Sequence, residues 1–218
     1  MKYTNESGRS MVEMLGVLAI IGVLSVGGIA GYSKAMNKYK INKTTDQVSM
    51  LVANIRTMFT SQGNYDGLEA STAVSYGLVP NDMIKKTDAG AFSSLTNAFA
   101  GEVTIVTDKA RASGADAEAF VIEYSGMTEE ACVAMLTGDW GSDQGSGLIS
   151  VAGGKFAKDG AADEAKTIYT DDQDAAVATT DKVIGAPGGD VNVPVTVAQA
   201  VAACTGGNSG NAVAWKYY

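Results

Sequence analysis

Histidine is absent from this chain of 218 residues. Its absence removes the commonest general base and the commonest metal ligand. Cysteine occurs twice, at Cys132 and Cys204. Two cysteines without histidine cannot complete a closed zinc site. By themselves they read either as a disulfide in an oxidising compartment or as two buried free thiols in a cytosolic protein. Basic residues are outnumbered, 16 against 24 acids, and the net charge of −8 argues against a nucleic-acid surface. Proline occurs three times, first at Pro80, and aromatics make up only 7%. Glycine is plentiful at 26 residues, so loops and small-residue contacts are expected.

Catalytic motifs are missing as well. Gly153-Gly154-Lys155 is followed by Phe156 rather than Ser or Thr and lacks the upstream glycine of a phosphate-binding loop. Gly207-Asn208-Ser209-Gly210 misses the nucleophile-elbow pattern by one residue. Asp171, Asp172 and Asp174 cluster, as do Asp139 and Asp143; oxygen ligands suffice for calcium, which stays an alternative, but their spacing is not that of an EF-hand, and they are read first as solvated loop acids. No catalytic residue, cofactor or metal site is expected.

What is present begins at the N-terminus. Residues 1–8, MKYTNESG, are polar. From Met11 to Ala30 the only charge is Glu13. As a helix this run spans about 30 Å, the thickness of a bilayer's hydrocarbon core. A secretory signal would have a shorter apolar region with its cleavage site after it, so this run reads as retained. Lysines flank it on both sides, and charge bias does not fix its orientation. A carboxylate near the end of a membrane helix costs about 2–3 kcal/mol unless paired or neutralised, so Glu13 is a functional candidate.

Gly8, four intervening residues, Glu13 and the apolar run together resemble the signature of type IV prepilins. The resemblance implies cleavage after Gly8 by a prepilin peptidase, with Arg9 as the new, N-methylated first residue. Arg9 departs from the Phe common at that position. The resemblance also implies a role for Glu13: in an assembling filament it neutralises a neighbour's terminal ammonium, which sets register because a misplaced subunit leaves a buried charge unpaired.

Beyond Gly31 the pattern becomes amphipathic. Ile41, Val48, Leu51, Val52, Ile55, Met58 and Phe59 recur at helical spacing. One helix is expected from about Ser10 to about Gln62, with Gly63 as its C-cap. Gly16, Gly22, Gly27, Gly28 and Gly31 interrupt its apolar half. They serve close packing in a membrane or, with no proline to do it, local melting of the helix; Gly22, Gly27 and Gly28 are the candidates for flexibility.

Residues 63–218 read as an α+β head with a mostly antiparallel sheet. Expected elements are a short helix at 68–76 closed by Gly77, strands at 101–107 and 119–124 forming a hairpin, and a helix over 128–136 capped by Thr128. Weaker strands are expected at 147–151 and 167–170, a helix at 195–203, and a last strand at 211–218 whose Trp215, Tyr217 and Tyr218 pack rather than bind. The stretch Tyr76–Ile84 and the helix bearing Cys132 resemble the major subunits of the type IVb pilins. That resemblance implies the pilin fold, a long helix packed on an antiparallel sheet, and a Cys132–Cys204 bond enclosing roughly 70 residues with a poor core of their own, worth about 4 kcal/mol.

The whole resemblance implies a pilus subunit whose work is assembly rather than catalysis. It divides into a leader 1–8, a membrane and filament-core helix 9–31, its amphipathic continuation 32–62, and the head 63–218. Its partners would be copies of itself, the prepilin peptidase, the inner-membrane assembly machinery and, before assembly, the membrane; no nucleic acid is expected. It would reside first in the bacterial inner membrane and then in the extracellular pilus. Two further readings stay open: a minor pilin or type II secretion pseudopilin, and a membrane-anchored binding protein.

Overall fold

The computed structural model describes residues 11–172 and 175–218, with Gln144 by its backbone alone. The chain divides into two compact units at Tyr39/Lys40. The first helix, α1, runs Met11–Phe59. It stops before the expected Gln62: residues 60–62 form a turn in which the Gln62 amide donates to the Phe59 carbonyl at 2.9 Å. Gly63 then takes a left-handed backbone (φ 72°) that any side chain would strain.

In the second unit, the α1 residues Val48, Leu51, Val52, Ile55 and Phe59 are buried in the main core, as the periodicity predicts. Met58 is not; it is 42% exposed. At ~100° per residue it falls on the flank of the stripe, some 100° from Phe59. Two polar residues, Thr44 and Gln47, are buried instead. Gln47 Nε2 donates to Asp82 Oδ2 at 2.9 Å, and Asn54 Nδ2 donates to the Leu78 carbonyl at 2.8 Å. These bonds seat the segment Tyr76–Ile84, whose Leu78, Val79 and Met83 are buried.

The remaining elements are α2 (Ala70–Ser75), β1 (Ile84–Lys86), β2 (Phe92–Thr96), β3 (Glu102–Asp108), β4 (Ala119–Met127), α3 (Glu129–Leu136), β5 (Leu148–Gly154), α4 (Gly160–Lys166), β6 (Val177–Ala178), β7 (Lys182–Gly185), α5 (Val197–Ala203) and β8 (Asn211–Tyr217). The expected β3–β4 hairpin forms, with Ile105 opposite Ile122. Thr128 caps α3 by accepting the Ala131 amide, and Thr196 caps α5 in a reciprocal box with Gln199. This is the expected α+β architecture of a long helix packed on an antiparallel sheet. Among the described residues the sheet has eight strands in the order β1-β2-β3-β4-β8-β5-β7-β6, with antiparallel neighbours throughout.

The expected strand at 167–170 is absent, and a helix precedes it. Thr167 ends α4, its amide bonded to the Glu164 carbonyl, and Thr170 donates to the Ala110 carbonyl. Those backbone groups are spent on a helix end and a loop, so no neighbouring strand can claim them. Only an isolated bridge, Tyr169 to Asp172, is extended there.

Leu51 and Ile55, both wholly buried, anchor the helix in this core. Leu51→Ala or Ile55→Ala is expected to lower the head's stability by about 2–4 kcal/mol, whereas Met58→Ala changes it by less than about 1 kcal/mol. Denaturant unfolding of the detergent-held chain, followed by tryptophan fluorescence, measures both.

Candidate assembly helix and disulfide-bounded region

The expected functional residues fall into two groups. Gly8, Arg9 and the leader lie outside the described residues, as does Asp174. Glu13 lies in the first described turn of α1. Gly16, Gly22, Gly27, Gly28 and Gly31 are all helical. A Cβ built at any of the five meets no atom within 4 Å. Nothing inside the described subunit therefore requires glycine there, although each glycine costs about 1 kcal/mol of helix stability relative to alanine. The large apolar side chains between them, from Met11 to Ile29, are exposed. One eighteen-residue window of α1 is long and apolar enough to cross a membrane, and none of it is buried.

The second group lies in the head. Cys132 on α3 and Cys204 just after α5 are bonded, with Cα atoms 5.9 Å apart and 72 residues of separation. Both are buried. The bond joins two capped helices, and the end of α3 also holds the residue before the α5 cap, where the Val195 amide donates to the Leu136 carbonyl at 3.2 Å. Gly153 of β5 lets the Leu136 side chain of α3 lie close on the sheet: a Cβ on it would stand 2.8 Å from Leu136 Cδ2. The enclosed region is not left with a poor core, as its composition suggested. It supplies β5, β6 and β7 to the common sheet, and Val151, Val183, Val191, Val193 and Val195 to the main core.

β8 makes that possible. It pairs with β4 on one side, Ile122 opposite Trp215, and with β5 on the other, Val151 opposite Trp215. Its alternating residues face two different layers. Val213, Trp215 and Tyr217 join the main core, and Trp215 stacks edge-on with Tyr124 and Trp140 at ring distances of 5.8 and 4.9 Å. Tyr218 is 54% exposed, against expectation, because it lies past the strand's last pair. Ala212 and Ala214 turn to the other face and meet Ala161, Ala162 and Ala165 of α4.

Sequence reasoning missed two residues of this second layer. Glu123 of β4 is buried and accepts the Asp159 and Ala162 amides at 2.8 and 2.6 Å, at the start of α4. Lys216 of β8 is also buried; its Nζ donates to the Ile168 carbonyl at 2.9 Å, at the helix's other end, and pairs with Asp108 Oδ2 at 2.7 Å. Each charge faces the helix end whose partial charge it complements. The overlooked signal was a lone charge within an otherwise apolar strand, in AFVIEYSGM and NAVAWKY. Burial pushes the Glu123 carboxyl up to about 7 against the two amide bonds, with Asp159 and Asp163 adding to the rise. Burial lowers the Lys216 ammonium, and Asp108 opposes it.

The motifs set aside earlier have structural work. Lys155, after Gly154, donates its amide to the Asp181 and Ala203 carbonyls at the sheet's end. The segment Gly207–Gly210 turns into β8, with the Gly207 amide on Glu129 Oε1 at 3.2 Å. Asp171 accepts the Ala112 amide, and Asp139 accepts that of Gly141.

Residues 38–217 match the family model described as PilS N terminal. The chain is similar to the toxin coregulated pilin of Vibrio cholerae serotype O1, 26% identical over 139 residues, which cover 62% of this chain and 59% of that protein. It is similar also to the major structural subunit of bundle-forming pilus of Escherichia coli O127:H6, 22% identical over 148 residues, 68% of this chain and 72% of that one. It thus spans less than two thirds of the length of the first of these relatives. Similar solved structures include a type IV pilin from Vibrio cholerae El Tor biotype (TM-score 0.48, 17% identity, 83% of this chain and 99% of that one). Another is a type IV b pilin from Salmonella typhi (TM-score 0.47, 18% identity, 81% and 97%).

Two outcomes are expected of the head. Replacing both cysteines by serine should cost about 4 kcal/mol and release the amides of α5 to hydrogen exchange before those of β3 and β4. The Glu123 carboxyl titrates near 7 when folded and at its ordinary 4.5 when unfolded. The folded state therefore holds an extra proton between those values. Its contribution is full below about pH 4.5 and is lost as pH rises through about 7, up to about 3 kcal/mol. Thermal melts of Glu123→Gln across pH 4–8 should lack this fall.

Proposed function

The chain belongs to the type IV pilin family, in the branch described by the PilS N-terminal model, and from that premise we propose that it is a structural subunit of a type IVb-like pilus. The observation that carries this reading is α1 itself. Its first part is apolar on all sides and unburied, and its last turns seat a stapled antiparallel head. Exposed Leu, Ile and Val side chains in that number have no stable place in water. They suit a bilayer first and a bundle of identical tails afterwards. The five glycines, which no contact within the described subunit demands, fit the same use: small residues let helices approach closely.

On this reading residues 1–8 are removed by a prepilin peptidase and Arg9 becomes the methylated first residue. Residues 9–31 form the membrane and filament-core helix, 32–62 its continuation, and 63–218 the head. Glu13 then lies one turn from a new α-amino group. In a low-dielectric filament core a neighbour's ammonium neutralises it, and a subunit at the wrong height leaves a buried charge unpaired, which costs about 3–5 kcal/mol. Apolar burial among tails supplies cohesion and the charge pair supplies register. The subunit waits in the inner membrane until the assembly machinery extracts it into the extracellular filament.

The mass of the mature chain tests the processing step. Loss of residues 1–8 with about 14 Da added at Arg9 is expected for one N-methyl group; a chain that keeps Met1 when expressed with its peptidase overturns it. Filament yield tests Glu13 separately. Glu13→Val should leave cleavage intact and abolish surface filaments, and filaments at the normal level would remove Glu13 from the assembly account.

A further inference from the structure

No acid lies between Glu13 and Asp46, yet this stretch carries Lys34, Lys38, Lys40 and Lys43. In a chain of net charge −8 this is a concentration of the minority sign. Two of the four are engaged: Lys40 Nζ stands 5.6 Å over the Phe99 ring, and Lys43 pairs with Asp82 at 2.8 Å. Lys34 and Lys38 are exposed and make no ion pair among the described residues. They are four residues apart, so they share one face of α1. Tyr32 and Tyr39 bracket them and are 68% and 59% exposed. A tyrosine with an apolar body and a polar tip suits the depth of lipid headgroups, and a lysine within a turn or two of an apolar span can lay its stem along acyl chains while its ammonium reaches phosphate.

We propose that Lys34 and Lys38 form a contact site for anionic phospholipid headgroups at the C-terminal end of the membrane span, with Tyr32 and Tyr39, on the opposite side of the helix at ~100° per residue, marking the same headgroup depth. The inference rests on the reading of α1 as that span. It adds a lipid preference to what apolar length alone would give. It also gives extraction an electrostatic component, because leaving the membrane breaks these contacts. A lysine at an anionic surface contributes about a fivefold preference, and the effect fades with salt.

The test uses the full chain in phosphatidylcholine vesicles carrying traces of spin-labelled phosphatidylglycerol or spin-labelled phosphatidylcholine. At low salt the motionally restricted fraction should favour phosphatidylglycerol by about fivefold or more. The preference should fall toward unity at about 1 M salt and in the Lys34→Gln/Lys38→Gln variant. It should persist in Lys85→Gln/Lys86→Gln, which alters exposed lysines on β1. Equal restriction of the two lipids, or a preference indifferent to the first variant, overturns the site. A chain whose apolar segment stays open to external protease overturns the membrane reading as well. A chain that spans the vesicle without lipid preference overturns this inference alone.

Discussion

The head depends on the placement of β8 between β4 and β5. Among the described residues no other strand joins the first four strands to the three from the disulfide-bounded region. β8 thus occupies the centre of the sheet. Its alternation serves both layers. Trp215 enters the aromatic core against Tyr124 and Trp140, while Lys216, one residue on, is buried on the opposite face. A slip of one residue in register would exchange them, placing an ammonium in the main core and an indole against alanines. Such a strand has little freedom to vary.

The two faces of the sheet are held by different physics. The face toward α1 uses large apolar side chains and aromatic contacts. The other is lined largely by alanine from β4, β8 and α4, which bury little area per residue. Here the buried charges of Glu123 and Lys216 become intelligible. Each satisfies backbone groups at an end of α4 that would otherwise be orphaned. Desolvating two charges is costly, and the raised carboxyl and lowered ammonium are the record of that cost. In exchange a short, alanine-rich helix has one defined seat. The disulfide acts on the first face, tying α3 to α5 at the margin of the large core.

The tail answers to neither layer. Its large apolar side chains are exposed and a Cβ on its glycines would meet no atom of the described subunit, so packing within the subunit does not account for either. The same contrast recurs among the lysines after the apolar run: two are used by the head, and two face outward. A single helix thus carries one segment shaped by intramolecular packing and another, exposed in the subunit, that the proposed function assigns to lipid and to other copies.

What the sequence determined were the features set by local pattern. The apolar run, the stripe of Val48, Leu51, Val52, Ile55 and Phe59, the β3–β4 hairpin, the helix α3 with its Thr128 cap and the helix α5 all follow from periodicity and capping chemistry, which act within a few residues. The resemblance of residues 76–84 and of the Cys132 helix to type IVb pilins carried the disulfide, which spacing alone left open. The tertiary structure decided what depends on partners distant in the chain. It put β8 at the centre, drew three strands from a region whose composition suggested little core, and turned the expected strand at 167–170 into the cap of α4 and the loop that follows it. It also buried Glu123 and Lys216, which in sequence are only single charges in apolar strands. The physical reason is the same in each case: a backbone amide or a buried charge takes its meaning from the group that satisfies it, and here that group lies tens of residues away.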